Sequence, residues 1–262
     1  MHSILDLDAY PLHLPDSRAY AALVTRCQDD LARDGLFNLD GFLRPEVVRD
    51  TVDTLAPRFD TDAFEHAREH NIYFVDKVAD LPADHPAQRK VRTSNHTLCA
   101  DQAADVALEQ VYAWEPLHRF LAQVLELPSL FPMADPLARW NAMRYQRGQG
   151  LNWHFDRSEF TTTLLLQAPD SGGKFEHRAN LRSDRDPNYD GVGKLLSGQD
   201  PHVRQLDLSP GTLNVFRGKN TAHRVTPVED GPDRMIAVFT YYQTPGRRFT
   251  DEENIGFYGR AS

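Results

Sequence analysis

The sequence predicts an α+β protein with a mainly β core: a double-stranded β-helix, or jelly roll, with N-terminal helices packed around it and a helical insertion. Three observations carry this expectation. Helix start and stop signals crowd the first 130 residues. From 139 to 245, short apolar or alternating segments follow one another between Gly- and Pro-rich turns, the spacing of a two-sheet barrel. No internal repeat, low-complexity run or linker divides the 262 residues, so they read as one domain: a helical part with a lid over 1–138, a β-helix core over 139–245 and a tail over 246–262.

In chain order, Ser17 is placed to cap a helix running to Asp34, with Gly35 as its stop. Pro45 opens a second helix, where its missing N–H costs nothing. A third helix is expected over 60–70, a short β-rich piece over 71–75, loop over 76–100, and a helical pair over 103–112 and 115–127. Strands are expected over 139–147, 151–155, 160–167, 173–177, 203–208, 211–216, 221–228 and 235–243, with a helical insertion over 186–196.

Composition narrows the function. A formal net charge of -9 gives no electrostatic footprint for nucleic acid or an anionic membrane. Cys27 and Cys99 are far apart and in no metal-ligand spacing, as expected of reduced thiols in a cytoplasmic protein. The N-terminus lacks a basic, apolar leader, and no run approaches the roughly 18 apolar residues of a membrane span. A small-molecule partner is the remaining expectation, with the oligomeric state unread.

The chemistry sits in His154-Phe155-Asp156 and His223. On a strand, residues i and i+2 share a face, so His154 and Asp156 turn inward together while Phe155 turns away. His223 lies in the seventh expected strand, the neighbour of the second in a jelly roll. Two imidazoles and one carboxylate cap one face of an octahedral metal and leave the opposite face open, the donor set of non-haem Fe(II) oxygenases. An isolated His-x-Asp is weak, since it also reads as a strand-end ion pair. Arg234, at the start of the eighth strand, strengthens it. If 2-oxoglutarate chelates the iron through its keto acid, its distal carboxylate needs a fixed fork of donors, and arginine supplies one.

At these residues the chain resembles the Fe(II)/2-oxoglutarate-dependent oxygenase superfamily: His154-x-Asp156, His223-Arg224-Val225-Thr226-Pro227-Val228, then Arg234-Met235-Ile236-Ala237-Val238-Phe239. The string from Asn152 to Gln167, with Gly172-Gly173-Lys174-Phe175-Glu176, is similar to the stand-alone branch that hydroxylates or chlorinates free amino acids, lysine among them. The resemblance implies Fe(II) on His154, Asp156 and His223, with 2-oxoglutarate and O2 consumed, succinate and CO2 released, and an unactivated C–H bond hydroxylated. Halogenating members have a small residue in place of the carboxylate. Asp156 therefore favours the hydroxylase type.

Further contacts are open at this stage. Arg144, Tyr145 or Thr163 are candidates beside Arg234 for 2-oxoglutarate, Arg144 being equally readable as a satisfied strand arginine. Arg157, Arg92, Trp153 and His70 are candidates for the substrate, Trp153 reading more readily as packing and Arg157 as suited to a substrate carboxylate. Other outcomes at the same iron remain as alternatives: halogenation, desaturation or cyclisation. So do a carrier-tethered aminoacyl substrate docking on Arg178, Arg182 and Arg185, and a non-catalytic cupin-like binding module.

Overall fold

The computed structural model describes residues 1–79 and 81–261. Its helices are α1 (Arg18–Asp34), α2 (Pro45–Thr61), α3 (Ala107–Ala113), α4 (Glu115–Val124), α5 (Tyr189–Leu196) and α6 (Asp251–Tyr258). The strands run β1 (Leu36–Leu39), β2 (Phe64–His70), β3 (Val91–Cys99), β4 (Phe131–Pro132), β5 (Trp140–Tyr145), β6 (Leu151–His154), β7 (Thr161–Gln167) and β8 (Ser171–Gly172). They continue as β9 (Phe175–Arg178), β10 (Arg204–Leu206), β11 (Leu213–Phe216), β12 (Ala222–Val225), β13 (Val228–Asp230), β14 (Arg234–Phe239) and β15 (Tyr241–Tyr242).

Seven strands form the larger sheet, in the order β1-β11-β7-β14-β5-β3-β2, and four form the smaller, β10-β9-β12-β6. The strand pairs within both are antiparallel, as the jelly roll requires. Alternation divides the larger sheet. Trp140, Ala142, Leu164, Leu166, Leu213 and Phe239 face the helices and join Leu31, Leu55 and Phe120 in the main core. Each such large side chain contributes about 1.5–3 kcal/mol on leaving water. Met143, Tyr145, Leu165, Ile236 and Val238 cluster on the other face, inside the barrel.

The ends of α1 match their signals: the Ser17 side chain accepts from Tyr20 N–H, and Gly35 closes the helix at φ 72°. The stretch expected as a third helix is different. It forms β2, paired with β3 along its whole length from Phe64↔Thr97 to His70↔Val91. Glu, Ala and Arg are good helix formers, but pairing overrides that local preference. β3 itself lies within the expected loop. The stretch expected as one strand over 221–228 is split into β12 and β13, and the expected tail contains α6, with a Thr250/Glu253 capping box. Among the described residues no helix is long and apolar enough to cross a membrane.

Candidate metal and cosubstrate site

His154 and His223 are directly opposed across β6 and β12, and their ring centroids are 4.1 Å apart. Asp156 lies just past the end of β6, where its N–H donates to Gly218 O at 3.0 Å. Its carboxylate oxygens reach 3.4 Å from His154 Nε2 and 3.5 Å from His223 Nε2. Phe155 turns the other way, into a cluster with Ile72, Leu181 and Val192, and Arg182 stacks on it at 3.9 Å. The donor atoms of the three residues all lie within 4.8 Å of one another.

The protein fixes which imidazole nitrogen faces the site. His154 Nδ1 lies 2.8 Å from Asn152 O, and His223 Nδ1 lies 3.0 Å from Thr221 O. A carbonyl only accepts, so each Nδ1 carries the proton and each Nε2 lone pair is free for a metal. Burial keeps His154 in its neutral form, and the neighbouring His223 acts in the same direction. Burial would raise the Asp156 carboxyl. The positive charge and N–H groups that the two imidazoles present in their protonated form outweigh that effect and hold it well below the usual carboxylate range, so it is the anion of the site. The Thr161 hydroxyl donates to Asp156 Oδ2.

Gly218 is a part of this site that sequence reasoning missed. A Cβ there would meet Asp156 Oδ2 at 2.2 Å and Cγ at 2.8 Å. The glycine is therefore needed for space. Gly218→Ala should move the carboxylate and weaken Fe(II) binding by about 10- to 100-fold, the range for losing a supporting contact. Metal titration checks this; unchanged affinity would mean that the carboxylate is not held here.

Arg234 is 5% exposed and has no carboxylate partner among the described residues. Its Nε donates to Gly173 O at 2.8 Å, while buried Nη1 has no partner. The Tyr145 hydroxyl, fully buried on the adjacent strand, is also unpartnered. Burial pushes it up to about 12, so it remains a phenol that can donate. These orphaned donors face the barrel interior beside a cavity lined by Leu165, Gly173, Phe175 and Leu208, and they fit a carboxylate. Register puts Thr163 on the inner face of β7, between Thr161 at the metal and Leu165 at this cavity; its hydroxyl is 3.4 Å from Asn214 O.

Arg144 is not brought to the site. It shares the outer face of β5 with Trp140 and Ala142, pairs with Asp60 at 2.7 Å, and lies over the Phe59 ring of α2. Strand alternation decides this: Arg144 and Tyr145 are consecutive, and only one of them can face inward.

The four substrate candidates separate. Both ring nitrogens of His70 are engaged, Nδ1 with Asn71 O and Nε2 with Thr93 Oγ1, each at 2.9 Å. Thr93 in turn accepts from Asn152 N–H, so His70 braces the backbone that carries His154. Trp153 faces outward and packs under Arg224. Arg92 is exposed beside a surface groove shared with Ser94, Gly150 and Asn152. Arg157 alone follows the metal triplet at the mouth, with its guanidinium 5.7 Å from the Phe257 ring of α6.

The family described as Halogenase D matches this sequence over residues 21–253. The chain belongs to that family. No curated protein matches it. Among solved structures it is similar to HygX from Streptomyces hygroscopicus, a structure with nickel, 2-oxoglutarate and hygromycin B bound, at 12% identity and a TM-score of 0.58 over 86% of this chain and 89% of that one. It is also similar to AviO1 from Streptomyces viridochromogenes Tue57 (18%, TM-score 0.56, 86% and 97%) and to a Pseudomonas putida prolyl-4-hydroxylase (17%, TM-score 0.52, 86% and 100%). At these identities the likeness is one of fold. The fold is the one seen in solved structures described as 2-oxoglutarate and Fe(II) oxygenases, and within it His154, Asp156 and His223 form a candidate metal-ligand set.

Proposed function

We propose that this Halogenase D family member is a hydroxylase, acting on an unactivated C–H bond of a small polar substrate of the free amino-acid class, with release of succinate and CO2. The observation that carries this reading is the Asp156 carboxylate, which occupies the third donor position and is held there by Thr161 and by contact with Gly218. Fe(II) and 2-oxoglutarate, when bound, supply the activation of O2. The chain's own residues do the rest. His154 and His223 present Nε2 lone pairs, fixed by their Nδ1 hydrogen bonds. Arg234, with Tyr145 and Thr163 nearby, receives the distal carboxylate of the cosubstrate. The segment after β2 brings Phe74 over His154, ring centroids 5.5 Å apart, where it keeps bulk water from that side.

A free rather than carrier-tethered substrate is supported at two of the three arginines on which the tethered alternative would dock, Arg185 being exposed. Arg178 is paired with Asp200 at 2.9 Å, and Arg182 is engaged with Phe155 and Lys219 O. The family description favours a second reading, halogenation, against which Asp156 stands.

The test is anaerobic loading with Fe(II) and 2-oxoglutarate, then O2 and a pool of free amino acids with chloride present. Mass spectrometry should find a product with one added oxygen atom. A chlorine isotope pair would replace this reading with the halogenase one. Products from carrier-bound aminoacyl groups alone would sink the substrate class.

A further inference from the structure

Two arginines, Arg68 and Arg157, stand beside the iron site and join no ion pair among the described residues. Register puts Phe64, His66, Arg68 and His70 on the face of β2 that β3 continues with Thr93, Asn95 and Thr97, and β5 with Met143. That face looks into the barrel. The Arg68 guanidinium carbon lies 4.2 Å from the Phe74 ring centroid, and the same ring stacks on His70 and meets His154 edge-on. Only one aromatic ring therefore separates Arg68 from a metal ligand. Arg157, exposed and next in sequence to Asp156, has its guanidinium 5.7 Å from the Phe257 ring of α6.

After burial, the charge of Arg157 is the remaining influence pushing Arg68 below its ordinary value. Arg68 Nε is buried with no partner, and neither arginine joins an ion pair among the described residues, whereas eleven other arginines do. The neighbouring histidines do not repair the balance: burial lowers both His66 and His70 toward the neutral form.

The shelf under Arg68 is itself built. Phe74 has φ 56°, a left-handed conformation unusual for a bulky side chain. Asn71 holds it there: its Oδ1 accepts from the N–H groups of Tyr73 and Val75, and its Nδ2 donates to Val75 O. A left-handed aromatic residue, pinned by a side-chain turn and stacked under an unpaired guanidinium, is arranged for a ligand that supplies the missing negative charge.

We infer that Arg68 and Arg157 form an anion-binding subsite beside the iron, and that the substrate presents a side-chain carboxylate to it, which an acidic amino acid has and a lysine-like one lacks. The inference rests on the hydroxylase reading for the word substrate and on the two unpaired arginines for the subsite.

Calorimetry on the anaerobic protein, saturated with Fe(II) and 2-oxoglutarate, tests it without turnover. The probes are aspartate and glutamate against leucine and lysine. The dicarboxylic acids should bind more tightly than leucine, and lysine least. Arg68→Gln and Arg157→Gln should each weaken their binding by about 10- to 100-fold, the loss expected for a hydrogen bond to a charged group. Arg68→Lys should recover part of it, since charge returns without the fork. Circular dichroism confirms that each variant is folded.

Tighter binding of lysine, or acid affinities untouched in both glutamine variants, would overturn the subsite. A protein that binds the acids through these arginines and never adds oxygen to them on exposure to O2 would instead overturn the hydroxylase reading and leave the subsite standing.

Discussion

Asp156→Gly is expected to lower hydroxylation by at least about 10- to 100-fold, because losing a direct ligand costs no less than losing a supporting contact. His154 and His223 would remain opposed, with their Nε2 atoms still oriented by Asn152 O and Thr221 O, so metal binding should weaken rather than vanish. The vacated position would be bounded by the Thr161 hydroxyl and by Gly218, a space shaped for a small anion. Turnover in chloride is therefore expected to give a weak chlorinated product, a reaction for which Asp156 leaves no room in the native protein. Product mass and succinate release, with and without chloride, check both statements. Retained hydroxylation at the native rate would remove Asp156 from the ligand set, whatever its distance from the imidazoles.

The arrangement of the candidate triplet was legible because strand alternation and a jelly-roll neighbour relation need only sequence spacing: Phe155 does turn outward, and His154 does oppose His223. The place of Arg234 was legible from the same spacing, at the start of a strand whose alternate residues Ile236 and Val238 face the barrel interior. The substrate side was not. β2 and β3 were misread as a helix and a loop for one shared reason: their inner faces carry His66, Arg68, Thr93, Asn95 and Thr97, so the apolar alternation that announces a strand is missing where the barrel wall is polar. Without β2, Arg68 has no face to point from and cannot be paired with Arg157. Gly218 was invisible for another reason. Its role is the absence of a side chain against Asp156, and nothing in the local sequence signals a close approach made by residues distant in the chain. The C-terminal helix was missed as a tail, although its Thr250-Asp251-Glu252-Glu253 capping box could have announced it.

Arg234→Met is expected to abolish 2-oxoglutarate binding at ordinary concentrations while leaving the ligand-free protein at least nearly as stable as the native one. The first half follows from the geometry. A carboxylate taken from water into this buried site without its guanidinium partner loses about 2–5 kcal/mol, roughly thirty- to several-thousand-fold in affinity. The second half follows from what the arginine costs when alone. Burial lowers Arg234 to about 10, with only Tyr145 acting in the other direction. For a cationic group, a folded-state value below the ordinary one means that the native state disfavours the charge. Below pH 10 the ligand-free protein therefore carries a net penalty for holding it, which methionine removes at similar volume. The one bond lost, from Nε to Gly173 O, leaves a carbonyl unsatisfied and offsets part of that gain. Thermal unfolding separates the two halves. At a hundredfold excess of 2-oxoglutarate over its dissociation constant, with Fe(II) and without O2, the native protein should gain about 2.7 kcal/mol and melt several degrees higher. The variant should start within a few degrees of the native melting point, or above it, and gain nothing from 2-oxoglutarate. A variant that still responds to 2-oxoglutarate would place the distal carboxylate elsewhere. One that unfolds far below the native protein would make Arg234 a structural residue whose charge is satisfied within the fold.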